Sequence, residues 1–248
     1  MSFYRFYARA ACPAQRARVR AFCEGNGLLG TILLAAEGVN GMVEGRAEAI
    51  AAFQEFAREE FGLTDADQKL LPSPGASFTR LLVKEKKELI PVGDPAIRPH
   101  EKTAPRLSPR EFRAWLESGK EFTLLDARNT YEVEVGTFRG AAHLNLESSR
   151  DFVARAAAEK ESWRNRPLLT FCTGGIRCEK ASAALLELGI EEVYQLDGGI
   201  LRYFAEEGGA HFEGNCFVFD WRGAVDGALA AAPRSTEPGR QFGRHRNP

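Results

Sequence analysis

The sequence predicts two consecutive domains, an α+β unit followed by an α/β unit built on a parallel sheet. Two changes of pattern along the 248 residues carry that expectation. Up to about residue 92 the apolar periodicities run in a β-α-β-β-α-β order. From residue 108 short apolar strands alternate with helical stretches, as they do in a parallel sheet covered on both faces. Between the two, VGDPAIRPHEKTAPRLSP at 92–109 interrupts both periods with proline and reads as a linker over 93–107.

In the first domain, residues 3–9 read as a strand and Pro13 opens a helix to about Cys23, with Gly25 and Gly27 beyond it. TILLAAEGVNGMVEG then reads as two strands joined around Gly38–Asn40–Gly41, since an Asn-Gly pair favours a tight turn. Residues 47–60 place Ile50, Phe53, Phe56 and Ala57 on one side of a helix, and Phe78–Lys84 supplies the last strand of a ferredoxin-like unit. In the second domain, Ser108 and Glu111 bracket Pro109 as a capping box and start a helix to about Ser118. Strands are expected in FTLLDAR, AHLNL, PLLTFC and EVYQL, with helices at 151–161, 176–188 and 200–207. This domain extends to about 210, and 211–248 forms a C-terminal extension whose end carries Arg240, Arg244, His245 and Arg246.

Lys and Arg number 33 against 34 for Asp and Glu, so the formal charge of -1 provides no general attraction to nucleic acid or to an anionic membrane. Neither a membrane nor DNA is expected as a partner. Five cysteines, at 12, 23, 172, 178 and 216, are too few for a disulfide-stapled scaffold and suit a reducing cytoplasm. Leu28–Ala36, the densest apolar stretch, is too short to cross a bilayer.

The chemistry concentrates at Cys172, which follows the apolar strand LLTF and precedes TGGIRCEK and a helix. In an open parallel sheet, ligands bind beyond the carboxyl ends of the strands, and Cys172 stands at one such end and Asp126 at another. Thr173, Gly174, Gly175, Ile176, Arg177 and Cys178 form a loop whose amides converge on an anion, with both glycines turning the backbone tightly. Oriented N–H groups and a guanidinium favour thiolate over thiol, so Cys172 is the candidate nucleophile, opening into a solvent-reachable, electropositive bowl. Cys178 either resolves an oxidised Cys172 or packs as a small hydrophobe. A phosphatase loop needs five residues between Cys and Arg, whereas four intervene here, a smaller cradle better suited to sulfur than to phosphate.

The run FCTGGIRCEKASAALLELGIEEVYQLDGGILRYF resembles the tRNA uridine-34 hydroxylase family, a rhodanese-related group. EGVNG at 37–41, LLDARNTYEVEVGTFRGA at 124–141 and CFVFD at 216–220 extend the likeness over about residues 3–222. The resemblance implies a rhodanese-like sheet behind the smaller domain, Cys172 as catalytic cysteine, and oxygen-dependent conversion of wobble uridine to 5-hydroxyuridine. A cysteine-persulfide sulfurtransferase is the alternative. Asp126, Arg128, Asn129 and Glu132 match the family's DxRNxxE motif; Asp126 holds either the active loop or a guanidinium such as Arg128. Molecular oxygen is the expected co-substrate, and its route of activation is unassigned, because the chain carries no dinucleotide fingerprint, haem motif or convincing iron site.

The resemblance makes the tRNA anticodon loop the expected partner. Arg80, Lys84, Lys86, Lys87, Lys102, Arg106 and Arg110 form a basic strip suited to phosphates. Tyr131, Phe138, Tyr203, Phe204 and Trp221 are candidate surfaces on which a single-stranded base would stack.

Overall fold

Seven elements build the first unit: strand β1 (Ser2–Phe6), helix α1 (Pro13–Gly25), β2 (Leu29–Ala35), β3 (Gly38–Glu44), α2 (Ala47–Phe61), β4 (Gln68–Lys69) and β5 (Leu81–Glu85). The structure, a computed structural model, describes residues 1–8, 13–71, 77–220 and 222–232. Its first compact unit is Met1–Thr103, and the second begins at Ala104. Cys12, Trp221 and the basic residues at 240–246 lie outside the described residues.

The expected β-α-β-β-α-β succession is present, with a sheet in the order β4-β1-β3-β2-β5. Its last strand lies parallel to β2, pairing Thr31 with Leu82. The edge beside β1 is already taken, because Gln68–Lys69 reaches it first and pairs Ser2 with Lys69. One correction concerns the Asn-Gly pair. The hairpin turns at Ala36–Glu37, and Asn40 and Gly41 sit inside β3, opposite Leu33 and Ile32. Gly41 is there for space, since a Cβ on it would come within 2.5 Å of the Phe3 ring. That ring packs on Phe53 at 5.3 Å, while Phe22 and Phe56 stack at 4.2 Å between α1 and α2. Cys23 is buried in the same core, and burial pushes its thiol up to about 12, which makes it inert as a nucleophile.

The second unit comprises β6 (Arg106–Leu107), α3 (Pro109–Glu117), β7 (Thr123–Asp126), α4 (Thr130–Val133), β8 (Gly136–Phe138), β9 (Ala142–His143), α5 (Phe152–Glu159), β10 (Leu168–Phe171), α6 (Ile176–Glu187), β11 (Val193–Leu196), α7 (Gly199–Glu207), β12 (Phe212–Gly214), β13 (Cys216–Phe217) and β14 (Ala224–Val225). Its main sheet is wholly parallel, in the order β6-β11-β10-β7-β9. Arg106–Leu107, read from the sequence as linker, is the edge strand. The capping box is present: the Ser108 hydroxyl accepts from the Glu111 amide at 3.3 Å, and the Glu111 carboxylate accepts from the Ser108 amide at 2.9 Å.

Strand alternation sends Leu169 and Phe171 of β10 into a core with Phe112 of α3 and Tyr203 of α7. Helices α5 and α6 pack together, as do α3 and α7. Phe138 is the hub of the aromatic cluster, edge-on to Phe112, Phe171, Tyr203 and Phe212 at 4.9 to 5.1 Å. Burial of Phe138, Tyr203 and Phe204 in this core removes them as base-stacking surfaces, contrary to the expectation from sequence.

Phe138→Ala is expected to destabilise the second unit by about 3–5 kcal/mol, because the cavity lies among rings already packed on four sides. Trp115 and Trp163 belong to this unit, so the shift in its urea midpoint is read by tryptophan fluorescence.

Candidate active site

The parallel sheet sets the site by bringing two strand ends side by side. Strand β7 ends at Asp126, paired in register with Phe171 of β10, and the next residue after β10 is Cys172. The chain then turns through Thr173–Gly174–Gly175 into α6. Gly175 alone of the two glycines adopts left-handed backbone, at φ 99°, so the tight turn is made there.

The sulfur of Cys172 accepts the Gly175 N–H at 3.1 Å. Burial raises the thiol pKa. That effect is outweighed by a hydrogen bond from the Cys178 thiol, the Arg177 guanidinium and the N–H groups of Cys178 and Gly175, which together bring Cys172 down to about 5. Cys178 goes the other way, raised by its own burial and by the neighbouring sulfur. Cys172 is therefore the thiolate of the pair and Cys178 its buried donor.

The expected open bowl is corrected in one respect. Cys172 is 0% exposed and Arg177 only 9%. The sulfur is closed off from solvent, although the Gly175 N–H does point at it.

Arg177 does not stand as a bare cation. Its two terminal nitrogens grip Glu132 on α4, one of them at 2.7 Å, and Nη2 also donates to the Thr173 hydroxyl at 3.3 Å. Glu132 reaches back to the Asn129 amide at 3.3 Å, so one carboxylate ties the start of α4 to the start of α6. Asp126 holds Arg128, not the active loop: both are fully buried, with Nε to Oδ1 at 2.9 Å and Nη2 to Oδ2 at 2.6 Å. Arg128 also donates to the Gly136 carbonyl at 2.6 Å, and the Thr137 hydroxyl donates to Asp126 at 2.7 Å. The DxRNxxE residues thus form two adjoining buried ion networks, of which only that of Glu132 touches the loop.

Two contributors escaped the sequence analysis. One is the Asp-Gly-Gly turn at 197–199. Ile200 and Leu201, at the start of α7, donate to the Cys172 and Thr173 carbonyls at 2.9 and 3.1 Å. A Cβ on Gly199, at φ 65°, would fall 2.4 Å from the Cys172 carbonyl. The other is the β13–β14 hairpin, tied to the loop by the Thr173 hydroxyl, which donates to the Phe217 carbonyl at 3.4 Å. Tyr131 is half-buried, edge-on to Phe217 at 5.3 Å.

The basic strip divides between the units. Arg80, Lys86, Lys87 and Lys102 are exposed and Lys84 half-buried in the first, while Arg106 and Arg110 are exposed in the second. Arg106 is committed to Glu179, at 2.6 Å.

The fold and its loop place the second unit among rhodanese-like domains, and the rhodanese-like domain model matches residues 108–206; a UPF0176 acylphosphatase-like domain model matches 1–89. Over 234 residues the chain is 44% identical to a tRNA uridine(34) hydroxylase of Bordetella petrii, covering 92% of this chain and 93% of that protein. Relatives bearing the same name in Cupriavidus necator (41% identical, 94% of this chain and 84% of the relative) and Bordetella parapertussis (46%, 82% and 85%) agree. The chain belongs to the tRNA uridine(34) hydroxylase family. Among the described residues, no helix is long and apolar enough to cross a membrane.

Two outcomes are expected. Because the Cys172 pKa is depressed, the thiolate persists as pH falls from 8 to 6, so its alkylation by iodoacetamide, followed by peptide mass spectrometry, stays nearly level there and declines only toward pH 5. Glu132→Ala, which strands a buried guanidinium, is expected to cost about 3–5 kcal/mol in urea unfolding.

Proposed function

We propose that this chain hydroxylates uridine 34 of tRNA to 5-hydroxyuridine in an oxygen-dependent reaction, with Cys172 as the reacting group. The observation that carries the reading is the buried Cys172 sulfur accepting the Gly175 N–H beside Arg177, in a chain of this family. A wobble uridine lies in a single-stranded loop, so it is captured without melting a helix.

Addition of the Cys172 sulfur to C6 forms a C–S bond and sends the C5=C6 electron pair into the C4 carbonyl as an enolate. Carbon 5 then attacks one oxygen of a hydroperoxide, which forms from molecular oxygen with two electrons and two protons from an external two-electron reductant; the C5–O bond forms as the O–O bond breaks, and the second oxygen leaves as water. Loss of the C5 proton and expulsion of the thiolate restore the ring. The backbone N–H and guanidinium that hold the sulfur as an anion before attack also make it a competent leaving group. Since Cys172 is enclosed, binding of the anticodon loop must displace part of the Thr173–Arg177 turn. Arg80, Lys84, Lys86, Lys87, Lys102 and Arg110 supply the phosphate contacts of the tRNA, with Arg106 a weaker contributor because Glu179 already holds it.

The same cradle also suits a cysteine persulfide, and the match to rhodanese-like domains favours sulfur transfer as the second reading. Nucleoside analysis of tRNA from cells lacking this chain separates the two. The native form is expected to restore 5-hydroxyuridine and Cys172→Ala to leave it absent; failure of the native form to restore it rejects the hydroxylase reading. Rapid sulfur transfer from thiosulfate to cyanide without that nucleoside would favour the second.

A further inference from the structure

We infer that Phe219 is the residue on which the target uridine stacks at the mouth of the Cys172 site, an inference that rests on the hydroxylase reading and adds a base-recognising side chain to it. Phe219 is 64% exposed. Among the described residues the other large exposed apolar side chains are Leu70 and Leu71, both in the first unit. Phe219 differs from them in its surroundings. Its ring centre lies 5.9 Å from the guanidinium carbon of Arg177 and stands edge-on to Phe217 at 5.0 Å.

The ring is held there by the active loop itself. The β13–β14 hairpin pairs Phe217 with Ala224, and Val218 donates to the Gly223 carbonyl at 3.0 Å to close its end. Asp220 and Arg222 close that end with a forked ion pair, at 3.0 and 2.6 Å, which neutralises the carboxylate next to Phe219. The Thr173 hydroxyl, through the Phe217 carbonyl, fixes the hairpin to the loop that carries Cys172. The hairpin thus presents one exposed aromatic ring beside the arginine of the reactive loop. An aromatic face next to a guanidinium is the combination that binds an unstacked base by its π surface, whereas a ring meant for the core would be covered.

The test is a binding cycle with the full chain and two synthetic anticodon stem-loops, one with uridine at position 34 and one abasic there. Phe219→Ala is expected to lose roughly 5- to 100-fold in affinity for the uridine RNA, with little change for the abasic RNA, while Phe219→Trp keeps wild-type affinity for both. Unchanged binding of the uridine RNA by Phe219→Ala overturns the inference, as does an equal loss for both RNAs, which would make Phe219 a general surface contact. Either result leaves the hydroxylase reading standing if the wild type still forms 5-hydroxyuridine. Failure of the wild type to bind either RNA or form the nucleoside overturns both.

Discussion

A negative charge on sulfur inside a protein is the constraint around which the second unit is organised. Burial alone would keep Cys172 protonated. The thiolate is favoured because the Cys178 thiol donates to the sulfur, because Arg177 remains cationic under the same burial, and because the turn after β10 aims the Cys178 and Gly175 amides at it. Arg177 remains so because Glu132 grips it with both oxygens; without that partner the guanidinium would itself be an uncompensated charge. Sulfur, guanidinium and carboxylate therefore form one unit, and the geometry of each depends on the others.

The surrounding architecture protects that unit from distortion. On one side the Asp126–Arg128 network joins the end of β7 to the Gly136 carbonyl at the start of β8, placing α4 and its Glu132. On the other, the first amides of α7 take up the Cys172 and Thr173 carbonyls, an approach close enough to require glycine at 199. The hairpin at 216–225 completes the frame through Thr173. Neighbouring elements thus hold the loop at its Cys172, Thr173 and Arg177 positions, in addition to its own turn.

Much of the fold was legible in the chain because the signals were local. Pro109 with Ser108 and Glu111 marks a helix start whatever lies around it, and the four apolar strands read as strands from their own residues. The candidate site was legible for a related reason: Cys172, Gly175, Arg177 and Cys178 are close in sequence, so their convergence follows from one turn. Less legible were features decided by a distant partner. The Asn40–Gly41 pair carried a turn signal, yet Phe3 claims the space over Gly41 and keeps the pair in a strand. Arg106 looked available to phosphate until Glu179, more than seventy residues away, took it. Phe219 and the glycines at 198–199 gave no local sign of their place beside the loop.

By itself, then, the sequence determined the two-domain succession, the strand-to-helix turn that makes residue 172 a candidate nucleophile, and the family to which the chain belongs, since each is written in short-range pattern or in the order of motifs. Tertiary structure alone decided that Asp126 serves Arg128 while Glu132 serves Arg177, that the sulfur is enclosed, and that an aromatic ring on a separate hairpin stands at its edge. The physical reason is that hydrogen bonds, ion pairs and close backbone approaches depend on which chain segments folding brings together, and spacing along the sequence does not encode that.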